Sequence, residues 1–317
     1  MTAVAAPQAA RIEVIAPSGA HLSVEAFDAA VAALRTRGHS VRCDVPREGW
    51  QRFSDTDDAR LEQVHRAARA KDVDVVMIAR GGYGLSRLLD RIDWALVAAS
   101  ATRGVRWVGY SDFTAFQLAL LARTGARSFA GPGVSGDFGV ATPDAFMLAH
   151  FDALLEGRLL PVEWTEAHPA SAPAVAEAID GTLWGGNLSL VAGLVGTPFL
   201  PAVEDGLLFL EDVSEHPYRV ERMLHQLLYA GVLSRQRAIV LGAFTDWKPA
   251  LHDNGYDLGA VVDYFRSRLP VPIVTGLPFG HVPRKAVLAV GERYRLEGAG
   301  AGFRLAPVDS AGSAGSA

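Results

Sequence analysis

The chain has 317 residues, of which 50% are hydrophobic and 21% are charged. This length allows two domains or one large one, and the composition is that of an ordinary globular protein. The formal net charge of −5 gives no reason to expect nucleic acid or an anionic membrane as a partner. The single cysteine, Cys43, excludes an intrachain disulfide, which suits a reducing compartment.

The N-terminal stretch is not expected to direct export. The N-terminal stretch is rich in alanine, but it lacks the basic segment followed by an apolar segment that a secretion signal requires. No apolar run approaches the length of a membrane span. We therefore expect a cytoplasmic protein with no membrane partner. Residues 310–317 are only Gly, Ala and Ser, so we expect a disordered tail over residues 307–317.

Short apolar strands alternate with amphipathic helices in the first half of the chain. The predicted strands are residues 12–16, 40–43, 73–78 and 105–110, and the predicted helices are residues 24–36, 57–69, 85–90 and a stretch that begins near residue 112. This alternation predicts a parallel sheet with helices on both faces. The loops after its strands, at residues 17–19, 80–84 and 110–112, are then expected to form a binding crevice.

A stretch rich in Pro and Ala, residues 156–178, shows no strand or helix period. It is predicted to link an N-terminal domain, 1–155, to a C-terminal domain, 179–306. In the second half a glycine-rich turn is predicted at 181–187. The further predicted elements are helices at 188–194, 219–229 and 256–269, and strands at 206–210, 238–244, 271–275, 287–290 and 294–296.

Ser111 stands where the strand at 105–110 turns sharply into a helix. A side chain on such a turn is lifted clear of the sheet, and the N–H groups that follow it point outward. This geometry suits a serine nucleophile with main-chain donors for an oxyanion. The alternative is an ordinary helix N-cap, which this stretch alone favours. The pattern is also not a full G-x-S-x-G signature, because Phe113 replaces the second glycine.

The glycine-rich loop after the third strand is not a nucleotide-binding loop. Arg87 stands where the third glycine of G-x-G-x-x-G would be, and no G-x-x-x-x-G-K-[ST] motif is present. Metal motifs such as H-E-x-x-H and C-x-x-C are also missing, so no cofactor or metal is expected. Gly81 and Gly82 could instead supply a second N–H to an oxyanion at Ser111, or simply form a tight turn.

His281 is the candidate general base, because it follows a β-branched strand through a turn rich in Gly and Pro. Glu211 ends an apolar strand and could accept the other N–H of the imidazole, which would fix its tautomer. Asp212, Glu215 and Glu221 compete for that role. A solvated carboxylate at the strand end remains an alternative for Glu211.

Five long strings in the sequence resemble those of one protein family. The strings are ARGGYG, VGYSDFTAFQLAL, GTLWGGNLSL, LFLEDVSEHPYRVERMLHQLL and IVTGLPFGH. They resemble the cytoplasmic LD-carboxypeptidases of bacteria, a serine peptidase family that includes the microcin-immunity peptidases. The resemblance runs from about Ile12 to about Leu296 and is closer to the muropeptide-recycling members.

This resemblance implies a Ser–His–Glu hydrolase with Ser111 as nucleophile, Glu211 as acid and His281 as base. The oxyanion hole would be formed by the N–H of Asp112 together with that of Gly81 or Gly82.

The family fold implied by the resemblance has a flavodoxin-like N-terminal parallel-sheet domain and a swivelling C-terminal β/α domain, usually in a homodimer. The serine would then come from one domain and its partners from the other, with the site in the cleft between them.

The implied reaction removes the terminal D-alanine from the murein tetrapeptide L-Ala-D-Glu-mesoDAP-D-Ala, or from related muropeptides, in peptidoglycan recycling. An exopeptidase also needs a donor for the free carboxylate of its substrate, and Arg80, Arg284 and loop amides all remain candidates. Two other functions stay open. One is a microcin-immunity-type peptidase acting on peptidyl- or aminoacyl-nucleotides, and the other is a non-catalytic peptide-binding module.

Overall fold

A computed structural model describes residues 8–168, 175 and 177–308. Its strands are β1 (Arg11–Ile15), β2 (Ser40–Cys43), β3 (Val75–Ile78), β4 (Arg106–Gly109), β5 (Ser128–Ala130), β6 (Val162–Thr165), β7 (Ile179–Asn187), β8 (Leu207–Val213), β9 (Ala238–Thr245), β10 (Ile273–Thr275), β11 (Leu288–Val290), β12 (Arg293–Ala299) and β13 (Gly302–Pro307). Its α-helices are α1 (Val24–Thr36), α2 (Asp57–Arg69), α3 (Trp94–Thr102), α4 (Phe113–Thr124), α5 (Val134–Phe138), α6 (Ala145–Leu155), α7 (Leu188–Gly193), α8 (Pro217–Tyr229) and α9 (Leu258–Arg268).

The first sheet contains the strands of the N-terminal half. Its order is β11-β5-β4-β3-β1-β2, and all neighbours are parallel except β11, which runs antiparallel to β5. The order β2-β1-β3-β4-β5 is the flavodoxin-like arrangement, whose binding crevice lies beyond the carboxyl ends of the strands. The predicted parallel sheet is confirmed. All four residues of β3 are buried, as expected for a strand covered on both faces.

Helix α1 shows how the sequence pattern builds this layer. Its N-cap Ser23 accepts a hydrogen bond from the N–H of Ala26 at 3.1 Å, which satisfies one free donor of the first turn. Its buried residues recur at helical spacing, which packs one face on the sheet; they are Phe27, Ala30, Val31 and Leu34. The predicted bounds of α1, β2 and α2 agree with the structure. Within the described residues, no helix is long and apolar enough to cross a membrane.

The second sheet has the order β10-β9-β8-β7-β12-β13-β6. Strands β7, β8, β9 and β10 are parallel to one another, whereas β12 pairs antiparallel with β7 and continues into an antiparallel extension with β13 and β6. Strands β8 and β9 carry the apolar runs predicted from the sequence, and their first four residues are buried. Glu211 and Asp212, which follow the buried apolar run of β8, therefore lie at the carboxyl end of this strand, at one edge of the second sheet.

The glycine-rich turn predicted at 181–187 is wrong, because these residues belong to the nine-residue strand β7. Gly186 has φ of +131°, and a Cβ atom there would lie 2.5 Å from Oγ1 of Thr114 on α4. The glycines at this point therefore let the second sheet approach α4 closely. The N–H of Asn187 then donates to Oγ1 of Thr114 at 3.0 Å.

The predicted strand at 287–290 exists, but it does not close the second sheet. It forms β11, which pairs with β5 at the edge of the first sheet. The apolar residues of β11 do not specify which sheet it joins, so its pairing with β5 depends on how the whole chain folds. A segment of the C-terminal half thus completes the N-terminal sheet.

Two other local predictions are corrected. Residues 156–178 are not free of regular structure, because β6 pairs with β13 at the edge of the second sheet. The helix predicted at 85–90 is only a 3₁₀ turn, Leu85–Arg87. Residues 169–174 and 176 of the predicted linker, and 309–317 of the predicted tail, lie outside the described residues. The division into domains 1–155 and 179–306 stays a prediction.

Candidate active site

Ser111 lies on the turn between β4 and α4 in a conformation that is unusual for a residue with a side chain. Its φ is +63°, in the left-handed region that costs non-glycine residues about 1–3 kcal/mol. The N–H of Thr114 donates to the carbonyl of Ser111 at 2.9 Å and so fixes the turn. The N-cap alternative for Ser111 is wrong, because the N-cap position of α4 is Asp112. Such strain is typical of functional turns.

The side chain of Asp112 connects the Ser111 turn to the two neighbouring loops. It is fully buried, and its Oδ2 accepts hydrogen bonds from Oγ of Ser18 at 2.7 Å and from the N–H of Leu85 at 2.9 Å. Burial raises the pKa of this carboxyl, whereas these hydrogen bonds oppose the shift. Sequence reasoning missed this role, since it considered only the main chain of Asp112.

Gly81 packs directly against Ser111. A Cβ atom on Gly81 would lie 2.7 Å from both Cβ and Oγ of Ser111, and 3.3 Å from the nitrogen of Asp112. In the part of the chain that the structure describes, the N–H groups of Gly81, Gly82 and Asp112 donate no hydrogen bond. A bare backbone with free donors therefore faces the serine, as an oxyanion hole requires. Gly82 is directed elsewhere, since a Cβ atom there would first meet the guanidinium of Arg80, at 3.1 Å.

Glu211 and His281 are joined across the second sheet and the loop that follows β10. Nδ1 of His281 lies 2.8 Å from Oε2 of Glu211. Glu211 is fully buried, and the side chain of His281 is 20% exposed. Nδ2 of Asn187 donates to the other oxygen of Glu211 at 3.2 Å. A carboxylate held in this way orients the imidazole and leaves Nε2 for chemistry.

The three acids that compete with Glu211 in the sequence have other partners. Asp212 accepts hydrogen bonds from Asn187 and Ser189. Glu215 forms an ion pair with Arg219, and Glu221 accepts a hydrogen bond from the hydroxyl of Tyr256. Asn187 therefore contacts both Glu211 and Asp212. This role of Asn187 in holding Glu211 was not predicted from the sequence, in which Asn187 is only the last residue of the predicted glycine-rich turn.

A cavity of about 330 Å³ brings together most of the predicted site. Its lining includes Arg80, Gly81, Gly82, Ser111 and His281. The structure has no hydrogen bond between Oγ of Ser111 and the His281 ring. Glu211 lies behind His281, and the side chain of Asp112 turns away from the cavity. Among the described residues, no group of three or more His, Cys, Asp or Glu side chains could hold a metal ion.

A buried ion pair lies next to Tyr110, a residue of the cavity lining. Nζ of Lys285 lies 2.7 Å from Oδ1 of Asp137, with side-chain exposures of 1% and 4%. Nζ also lies 3.8 Å from the centre of the Tyr110 ring, and that ring contacts His281 with 5.0 Å between centroids. Burial raises the pKa of Asp137, and Lys285 opposes this shift. The pair joins Asp137 of the N-terminal half to Lys285 of the C-terminal half, next to the contact between Tyr110 and His281.

Comparisons with known proteins agree with these observations. Residues 12–131 match the family model of the LD-carboxypeptidase N-terminal domain, and residues 180–296 match that of the C-terminal domain. The murein tetrapeptide carboxypeptidase of Pseudomonas aeruginosa is 31% identical over 300 residues, which cover 91% of this chain and 93% of that protein.

Two solved structures extend the likeness to three dimensions. The muramoyltetrapeptide carboxypeptidase from Oxalobacter formigenes is 42% identical with a TM-score of 0.87, over 94% of this chain and 99% of that one. The microcin C7 self immunity protein MccF in complex with aspartyl sulfamoyl adenosine is 20% identical with a TM-score of 0.81, over 96% of this chain and 98% of that one. The second likeness shows the fold alone. Because the two family models together match more than half of the chain, it belongs to the LD-carboxypeptidase family of serine peptidases.

Proposed function

We propose that this carboxypeptidase removes the terminal D-alanine from murein tetrapeptides such as L-Ala-D-Glu-mesoDAP-D-Ala. The observation that carries the proposal is the 2.8 Å contact of Glu211 with His281, whose ring lines the same cavity as the strained Ser111. The relatives from P. aeruginosa and O. formigenes are named for activity on this class of substrate.

In the proposed mechanism, Ser111 is the nucleophile and Nε2 of His281 takes its proton. Glu211 accepts the proton of Nδ1 in a hydrogen bond, which holds the required tautomer and stabilises the imidazolium that forms. In the structure the serine and the histidine share the cavity without a hydrogen bond. Catalytic hydrogen bonds are often loose before substrate binds. We propose that substrate binding brings the two side chains into contact.

The oxyanion that forms on attack would be held by the N–H groups of Asp112 and Gly81. Both donors are free in the structure and flank Ser111. We propose Gly81 rather than Gly82 for this role, because Gly81 is the glycine that packs against the serine. Preorganised donors of this kind stabilise the charge that develops in the transition state.

The reaction would proceed in two balanced steps. First, Oγ of Ser111 bonds to the carbonyl carbon of the diaminopimelate residue, the peptide C–N bond breaks, and His281 gives its proton to the departing amine of D-alanine. A water molecule then gives a proton to His281 and attacks the acyl-enzyme. This step releases the tripeptide acid, and the proton returns to Ser111.

Mass spectrometry of the tetrapeptide incubated with the enzyme tests this function. We expect wild type to release D-alanine, and Ser111→Ala and His281→Ala to lose about 10⁴–10⁶-fold in turnover. Glu211→Gln should lose about 100-fold less than these variants, because the serine and the histidine remain. Glu221→Gln is the matched control, since Glu221 contacts Tyr256 instead of His281. Equal and small losses for the three active-site variants would contradict the triad.

Two other functions would give different results when an acyl-sulfamoyl adenosine is assayed beside the tetrapeptide. A peptidase of the microcin-immunity type would cleave an acyl-sulfamoyl adenosine in preference to the tetrapeptide, an alternative suggested by the fold shared with MccF in its complex with aspartyl sulfamoyl adenosine. A peptide-binding module would release no D-alanine, and Ser111→Ala would change neither turnover nor covalent labelling.

Three further parts of the proposal come from the family resemblance: a role in peptidoglycan recycling, a cytoplasmic location and a homodimeric state. Light scattering of the purified protein at several concentrations would measure its oligomeric state. Cell fractionation would locate it, and the muropeptide content of a deletion strain would test the role in recycling.

A further inference from the structure

Arg80 places a cation in the cavity that contains Ser111 and His281. It lies two residues after the end of β3 and directly precedes Gly81, so its position is set by the same loop that packs against the serine. Its side chain is only partly exposed. Within the described residues, it is the one Arg or Lys in the lining of this cavity.

The guanidinium of Arg80 is held in place without being neutralised. Nη1 donates a hydrogen bond to the carbonyl of Ala20 at 2.6 Å. A Cβ atom on Gly19 would lie 2.8 Å from Nη1, so the loop after β1 packs tightly against it. No carboxylate of the described residues forms an ion pair with Arg80, and its remaining donors have no partner there. Because the side chain is partly buried, its charge is poorly solvated, and this burial lowers the pKa of Arg80.

The other basic side chains near this edge are unsuited to bind a ligand in the cavity. Arg284 is exposed, lies over the ring of Phe146 at 4.0 Å, and is not part of the cavity lining. Lys285 is neutralised by Asp137. Arg52 is exposed and lies 5.9 Å from the centre of the Tyr83 ring. Of the two arginines that the sequence left open, Arg80 is therefore the one that lines the nucleophile's cavity.

We propose that Arg80 binds the free carboxylate of the substrate's leaving residue and thereby makes this enzyme an exopeptidase. The inference rests on the proposed function. In a peptide, only the amide nitrogen and one Cα atom separate the scissile carbonyl from the C-terminal carboxylate. When the scissile carbonyl is positioned for attack by Ser111, the carboxylate therefore lies within the same cavity as the guanidinium of Arg80. The guanidinium fork matches a carboxylate geometrically, and a partner of opposite charge offsets its poor solvation.

The test compares kcat/KM for the tetrapeptide with kcat/KM for the same peptide ending in D-alaninamide. We expect wild type to prefer the free acid, and Arg80→Met to reduce this preference by about 10- to 100-fold while hydrolysis of the amide changes little. Arg80→Lys keeps the charge but loses the forked guanidinium, so its preference for the free acid should lie between those of wild type and Arg80→Met. Arg284→Met is the matched control and should keep the wild-type preference. Thermal unfolding of each variant identifies any that fails to fold.

Other carboxylates of the substrate could use the same chemistry, so a third peptide carries an amide in place of the α-carboxylate of D-Glu. If Arg80→Met removed discrimination against this peptide and kept it against D-alaninamide, the assignment to the leaving residue would be overturned. An unchanged preference in a folded Arg80→Met protein would also overturn it, as would loss of the preference in Arg284→Met. Failure of the proposed function would look different, because wild type itself would then release no D-alanine.

Discussion

Gly81 lies so close to Ser111 that a Cβ atom added to the glycine would be 2.7 Å from Oγ of the serine. The φ of Gly81 is not in the left-handed region, so the backbone does not by itself require glycine. Glycine is needed at this position because there is no room for a side chain beside Ser111, the proposed nucleophile. Substitution at this position should therefore affect catalysis more than folding.

We expect Gly81→Ala to lose about 100-fold or more in kcat/KM, because the new methyl group would displace the Ser111 side chain and the N–H donors beside it. The unfolding midpoint in urea should change much less than the activity. Gly193→Ala is the control, since a Cβ atom there meets nothing within 4 Å and the φ is ordinary. Full activity in Gly81→Ala would show that the loop relaxes and would contradict the role of this contact.

The backbone strain at Ser111 gives a prediction about stability. Because φ is +63° at this position, we expect Ser111→Gly to be more stable to urea than Ser111→Ala by about 1 kcal/mol, with both variants inactive. Ser267 provides the matched comparison, because it lies within helix α9. There the order should reverse, with the glycine variant less stable than the alanine variant by about 1 kcal/mol. The same order at both positions would indicate that Ser111 is not strained.

The sequence predicts the elements of the first sheet well because their signals are local. Alternation of short apolar runs with amphipathic helices identifies parallel strands, and the caps of α1 and α2 define where these helices begin. The loops beyond β1, β3 and β4 then meet at one edge by topology alone. For this reason Ser18, Gly81 and Ser111 could be expected near each other without knowledge of any contact.

Predictions failed where pairing across the molecule determines the structure. Glycines at 185 and 186 favour a turn locally, yet β7 needs them to lie close to β8 and α4. The apolar run of β11 does not reveal that its partner is β5 in the first sheet. Asp137 and Lys285 are far apart in the sequence, and each is an isolated charge with no motif around it, so their ion pair could not be predicted.

We expect Lys285→Met to destabilise the protein by about 3–5 kcal/mol, because it leaves the carboxylate of Asp137 buried without its cation. The double variant Asp137→Asn/Lys285→Met should recover much of this loss, since no unpaired charge remains. Urea unfolding at pH 7.5 measures both.

The pH dependence provides a control for this explanation. Burial already raises the pKa of Asp137 against the influence of Lys285, so removal of the lysine should raise that pKa further. The carboxyl of Asp137 would then take up a proton as the pH falls. The difference in free energy of unfolding between wild type and Lys285→Met should therefore become smaller. A deficit that stays constant down to pH 5, and that the double variant does not reduce, would attribute the loss to packing instead.

His150 on α6 should make the folded state sensitive to mild acid. It is 3% exposed, and burial together with Arg284 lowers its pKa to about 4. In the unfolded chain the pKa is about 6.5. The unfolded state therefore binds more protons than the folded state between these values, and stability falls as the pH decreases from 6.5 towards 4. At pH 5 this single group should cost on the order of 2 kcal/mol relative to pH 7.5.

Urea unfolding of wild type and His150→Leu at pH 7.5, 6 and 5 measures this contribution. We expect the variant to lose less stability than wild type over this range, because leucine is apolar and does not titrate. Part of the loss should remain, since burial also lowers the pKa of His39. His252→Gln is the control, because His252 is an exposed histidine outside the core. If His150→Leu and wild type lost the same free energy between pH 7.5 and 5, protonation of His150 could not be the cause of acid instability.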